Sequence, residues 1–282
     1  MWHQIDGHQD VVVARQRAQP AVLAVEASLR RVREERLPDD LGPLLRDARL
    51  ACAWLSVTAP GVPALARSLR LVSQAATAIF ALATAPPGAQ VDIAVGPGPR
   101  VTMPATGSTR RAGPATWRAA FYAACIRRDL HALDALSRVP LDLLRRSDAG
   151  AGAQVLFCDA LRGLWRGDAD AASRLLRALE ATKPSHLPAE CREEVRAILL
   201  PEMELAYRYM SRDEDAFTKS LITALERHRA YWSDPVRAGD PDGYLAWGPL
   251  ALSALAWDAE MSLPVASGYL PRDLLEEGCG PL

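Results

Sequence analysis

The chain has 282 residues, 49% hydrophobic and 24% charged, with 33 basic against 34 acidic side chains and a formal charge of −1. Length suggests one large domain or two modest ones, and the composition suffices for a folded core. The charge balance removes the electrostatic basis for binding nucleic acid or an anionic membrane, and the longest apolar run, Ala75 to Ala83, is far short of the roughly 18 residues that span a bilayer.

Met1 to Asp10 is polar and has no basic-then-apolar pattern, so no leader is expected and the protein is placed in the cytoplasm. Cys52, Cys125, Cys158, Cys191 and Cys279 are scattered and never in CxxC spacing. They read as reduced core thiols, not as a disulfide or zinc framework. Residues 1–85 read as an N-terminal helical region, 86–116 as a connector and 117–282 as a C-terminal helical region, packed as one unit. The expected fold is all-α, with stacked α-hairpins and one small β-hairpin.

The hairpin is the one clear strand signal. Val91, Ile93 and Val95 alternate with other residues, Gly96-Pro97-Gly98-Pro99 breaks the chain, and Val101 and Met103 alternate again. Two strands alone are marginal in water, so the hairpin must pack on helices.

Beyond it, three apolar stripes follow helical spacing. They are Trp117, Ala120, Phe121, Ala124, Cys125; Val195, Ile198, Leu199, Leu205, Ala206, Tyr209; and Phe217, Leu221, Ala224, Leu225, Trp232. A weak pattern, Asp129-x-x-Ala132-x-x-x-Leu136, recurs at Asp168 and loosely at Asp213, at intervals of about 40 residues. Each Asp stands where a helix N-cap is expected. Stacked hairpin repeats produce such a pattern, and so do unrelated capped helices.

No GxGxxG, GxxxxGK[ST], HExxH or GxSxG motif occurs. The prolines of Gly96-Pro97-Gly98 remove the N–H donors a phosphate cradle needs. His3, His8, His131, His186 and His228 lack metal-ligand spacing, and His3 and His8 are expected in water. No cofactor and no metal are therefore expected.

Three polar residues interrupt apolar stripes: Glu202, His228 and Asp258. A buried charge costs several kcal/mol unless it is paired and hydrogen-bonded, so each should have a partner. Arg127 or Arg128, at the end of the Trp117 stripe, is the expected partner of Glu202. Mirror pairing of the helices flanking Ser211-Arg212 offsets Glu202 from His228 by about 10 Å, which separates them. The trio reads either as an internal polar network that fixes helix packing or as a cleft for acid–base chemistry. Tyr231, Trp232, Tyr244, Trp247 and Trp257 read as core, although Tyr and Trp also mark interfaces. The Arg30-Arg31, Arg110-Arg111 and Arg145-Arg146 clusters read as solvated faces.

The C-terminal part resembles the Imm49 family of bacterial immunity proteins from polymorphic toxin systems. One block runs from Trp117 through Phe121, Tyr122, Cys125, Arg127, Arg128 and Asp129 to Val139-Pro140. Others are Leu200-Pro201-Glu202 with Tyr207-Arg208, Asp213 to Phe217, and Ala224 to Trp232. The last comprises Gly248 to Leu252, Ala256-Trp257-Asp258, and Ser267-Gly268-Tyr269-Leu270-Pro271. The resemblance covers roughly residues 91–277. Thr218, Trp257, Ala266 and Gly268 depart from the family's tendency, which suggests a different partner or recruitment to another task. With Tyr269, the candidate binding or polar-network residues are Arg127, Arg128, Glu202, His228 and Asp258; no catalytic residue is assigned. The resemblance implies tight binding of a cognate protein toxin. The competing readings are an enzyme recruited from this scaffold, with a pocket around Glu202, His228 and Asp258, and a helical assembly scaffold. Oligomeric state is left open.

Overall fold

The computed structural model describes residues 2–59, 61–147 and 152–276, and its architecture is mostly helical. Three long helices come first: α1 (Val11–Glu35), α2 (Leu41–Thr58) and α3 (Pro63–Thr84). Asp10 starts α1, its carboxylate accepting the amides of Val12 at 2.9 Å and Val13 at 3.0 Å. Pro63 opens α3 at a position where its missing N–H costs nothing. The buried stripe of α2 (Leu41, Leu44, Ala48, Ala51, Leu55) packs between its two neighbours.

The hairpin forms as its alternation requires. β1 (His3–Ile5) precedes α1; the hairpin strands are β2 (Gln90–Ile93) and β3 (Val101–Pro104), antiparallel with Ile93 opposite Val101. Ile93, Val101 and Met103 face the core. Helices hold the turn. Gly96, at φ 71°, donates its amide to Gln74 of α3, and Arg33 of α1 donates to the carbonyls of Val95 and Pro99.

The centre is α4 (Pro114–Arg127). It packs on α3, α5 (Leu130–Ser137) and α7 (Gly152–Arg166), and on α12 (Trp247–Asp258) from the far end of the chain. Trp117 and Phe121 are fully buried and stacked at 5.1 Å, and the Trp117 indole donates to the Leu136 carbonyl. A helix buried around its circumference has no solvent face. Short α6 (Leu141–Ser147) and α8 (Ala171–Glu180) flank α7. The one-turn α9 (Arg192–Glu194) runs through a π-helical turn, Val195–Leu199, into α10 (Leu200–Ser211), which pairs with α11 (Glu214–Trp232). Pro201 accounts for the π turn: it supplies no N–H and its ring crowds the preceding turn, so the ladder widens. One continuous cluster of buried side chains draws on all three zones of the sequence.

Capping explains two of the three recurrent aspartates. Asp129 accepts the Ala132 amide at the start of α5, and Asp213 accepts the Ala216 amide at the start of α11, both at 3.0 Å. Asp168 does not cap by its side chain. The chain enters α8 two residues later, at Asp170, and the Asp168 carboxylate pairs with Arg166 and Arg174. Asp129→Ala and Asp213→Ala should each lower unfolding free energy by about 1 kcal/mol in urea titrations, with Asp168→Ala clearly milder.

Several expectations need correction. A second two-stranded sheet joins the ends of the chain: β1 pairs in parallel with β4 (Val265–Ser267), with His3 opposite Val265. Strands of three residues carry too little alternation to be read. Cys52, Cys125 and Cys158 are core thiols, but Cys191 is exposed, on an irregular segment that buries little. Cys279 lies outside the described residues. Tyr244 is core, whereas Trp257 is exposed near the end of α12. The described chain ends in α13 (Arg272–Glu276).

Candidate functional site

Glu202, His228 and Asp258 each acquire partners, in three separate clusters. Glu202 stands in the first turn of α10, just after the π turn, and is 5% exposed. One carboxylate oxygen accepts the Tyr122 hydroxyl at 2.7 Å and Arg118 Nη1 at 3.2 Å. Arg118 also reaches Gln154 of α7. Arg118 and Tyr122 are one turn apart on α4, so both meet the same carboxylate. The fourth side is backbone: a Cβ on Gly248 of α12 would stand 2.4 Å from Glu202 Cδ, so only glycine fits there.

The electrostatics follow from burial. Burial pushes the Glu202 carboxyl above its ordinary value, while Arg118 and the Tyr122 hydrogen bond pull it back. The Tyr122 phenol is raised by burial and by facing Glu202. Burial works against the Arg118 charge, but Tyr122 and Glu202 outweigh it and hold the guanidinium protonated. This is an ion pair with a hydrogen-bonding third member, sealed between α4, α7, α10 and α12.

The partner expected for Glu202 is therefore corrected. It is Arg118, not Arg127 or Arg128. Arg118 lies off the Trp117 stripe, and periodicity gives it no mark as a buried partner; α4 is nonetheless enclosed on that side. Arg127 turns instead towards α3, with Nη1 3.4 Å from the Ala66 carbonyl.

His228 of α11 is buried and joins an aromatic cluster. Its Nε2 donates to the Gly243 carbonyl at 2.8 Å, which fixes the neutral tautomer. Its ring meets Tyr269 edge-on at 4.8 Å. The Tyr269 hydroxyl accepts the His8 amide at 2.9 Å and donates to His8 Nδ1 at 2.7 Å. Tyr244 packs edge-on against both His8 and Trp54. Burial lowers the pKa of His228 to about 4 and lowers that of His8. His8 is thus not in water, as the sequence suggests, but half-buried against Tyr269, close to where β1 and β4 tie the chain ends.

Asp258 is not buried; its side chain is 44% exposed at the end of α12. It still has a partner. Arg128 adopts φ 56° just past α4, and its Nε and Nη2 grip Asp258 at 3.0–3.2 Å. Its Nη1 and Nη2 also donate to the carbonyls of Leu274 and Leu275 in α13, at 2.9 and 2.7 Å. Arg128 therefore fastens α13 to α4. Arg128→Ala should weaken the fold by about 2 kcal/mol and speed amide exchange in α13 first; Arg128→Lys should not restore protection, because one ammonium cannot span all three acceptors.

Each polar group is thus neutralised locally, and the three clusters do not converge on one reacting position. A cavity of about 450 Å³ is lined by Arg46, Arg49 and Arg111, but these guanidiniums are paired with Asp47, Asp242 and Asp39. Among the described residues, no group of three or more His, Cys, Asp or Glu side chains is arranged to hold a metal ion. None of their helices is long and apolar enough to cross a membrane.

A family model described as Immunity protein 49 (Imm49) matches residues 61–274, most of the chain. The chain belongs to the Imm49 family. The matched segment runs from α3 into α13, wider at its start than the blocks that carry the resemblance in sequence, and it contains the whole Glu202 cluster and all of the Arg128 cluster except Leu275. From the His228 cluster it leaves out His8 and Trp54; α1 and β1 also lie outside it. No curated protein and no solved structure matches the chain.

Proposed function

We propose that this Imm49 protein binds a cognate bacterial toxin in the cytoplasm of the cell that makes both, and neutralises it by stoichiometric masking. The observation that carries the reading is the family match over residues 61–274. The internal geometry supports it: Glu202, His228 and Arg128 are each occupied in joining helices, which leaves the outer surface for a partner. A stable complex of this kind buries about 1,600 Å² in total. The recruited-enzyme reading gains no support from Glu202, His228 and Asp258, which sit in different clusters with different neutralising partners.

The test is co-production with a toxin domain identified in the reading frame next to this gene. Growth should be restored, and the two chains should co-elute at fixed stoichiometry in size-exclusion chromatography. Continued growth arrest and separate elution at equimolar, micromolar concentrations would overturn the proposal.

A further inference from the structure

Outside the three polar clusters, a cavity of about 540 Å³ lies between α1, α3 and the hairpin turn. Its floor is apolar, from Val22, Val25 and Leu29 of α1 and Leu71 of α3. Gly96, where a Cβ would lie 2.8 Å from Leu29, closes one end by bringing the turn backbone against α1. Arg67 and Arg70 line the α3 wall, three residues apart and so on one face of the helix.

Neither arginine makes a hydrogen bond or ion pair among the described residues, and Arg70 Nε is buried without a partner. In the cavity of about 450 Å³, by contrast, Arg46, Arg49 and Arg111 are each matched to a carboxylate. Glu26, on the opposite wall, is exposed and also unpaired, so the lining keeps an excess of positive charge. An apolar cleft of this volume with a few converging polar groups has the character of a small-molecule site. A buried guanidinium N–H with no acceptor is satisfied best by a charge-assisted bond to an anion.

The geometry points to a binding site for a small amphiphilic carboxylate, with its hydrocarbon body on Val22, Val25, Leu29 and Leu71 and its headgroup on Arg67 and Arg70. The site is independent of toxin neutralisation. It is built partly from α1, which lies outside the family-matched segment, and partly from α3 and the hairpin turn, which lie inside it.

The probe is decanoate, titrated into the full-length protein by isothermal calorimetry, with decanol as its uncharged counterpart. Saturable binding at one site is expected, at least tenfold tighter for decanoate than for decanol. Arg67→Gln/Arg70→Gln should weaken decanoate at least tenfold and leave decanol unchanged. Ala64→Trp, which fills the groove from the α3 side, should abolish both. Circular dichroism and thermal melts of each variant confirm that it is folded. Any of three results would overturn the assignment: no saturable binding to wild type, decanol equal to decanoate, or decanoate binding untouched in the folded double variant. If decanoate does not bind but the folded double variant loses the toxin domain, the groove belongs to the protein partner and the small-ligand assignment is wrong.

Discussion

Arg118→Met should lower the unfolding free energy by about 3–5 kcal/mol near pH 7.5, measured by urea denaturation, because it leaves the Glu202 carboxylate buried and unpaired. The loss should depend on pH in a defined direction. The folded-state pKa of Glu202 already stands above its ordinary 4.5, so the native state holds this proton more tightly than the unfolded chain does. That contribution is complete in acid and is lost as pH rises from 4.5 through the folded value. Without Arg118 the folded value moves higher still. The variant should therefore lose less stability at pH 5 than at pH 8. Replacing the whole cluster, with Arg118→Met, Tyr122→Phe and Glu202→Leu together, should recover most of the stability, since no charge then remains to be buried. A double-mutant cycle on Arg118 and Glu202 isolates their coupling.

The second large effect belongs to His228. Its pKa is about 4 in the folded protein against 6.5 when unfolded, because burial excludes the charged ring. As pH falls from 6.5 towards 4, the unfolded chain takes up a proton that the native state refuses, and stability is lost. At 1.36 kcal/mol per pH unit the loss reaches about 3 kcal/mol. His228→Gln keeps an N–H donor for the Gly243 carbonyl but cannot titrate. Its stability deficit at pH 7 should shrink by about 3 kcal/mol at pH 4, relative to wild type. His8 faces the same cluster across Tyr269 and is lowered in the same direction, so His8→Gln should remove a further part of the acid slope. A wild-type curve parallel to that of His228→Gln across this range would contradict the assignment.

These two groups also show what the sequence makes legible. Glu202 and His228 stand out because each interrupts an apolar stripe, and both are buried as that placement requires. Asp258 interrupts a stripe too, but at the last residue of α12, where the helix meets solvent; periodicity says which face a residue takes, not how deep the helix end lies. Arg118 is missed for the opposite reason. Its position off the stripe gives it no mark as a buried partner, yet α4 is enclosed on that side. The hairpin is legible because alternation and breakers are local. The His8–Tyr269 contact spans 261 residues, and nothing local marks either residue as the other's partner. Asp129 and Asp213 are read correctly as caps because capping is settled within three residues, whereas at Asp168 the helix begins later and nearby arginines take the carboxylate.

The polar interior holds the helices together, and under the proposed function the outer surface, not this interior, meets the toxin. The triple variant Arg118→Met/Tyr122→Phe/Glu202→Leu tests that separation directly, measured as protection of growing cells against the toxin domain that the wild-type protein neutralises. A folded protein that protects as well as wild type at equal expression is expected. A variant with native circular dichroism and melting temperature that no longer protects would show that the buried carboxylate takes part in function itself.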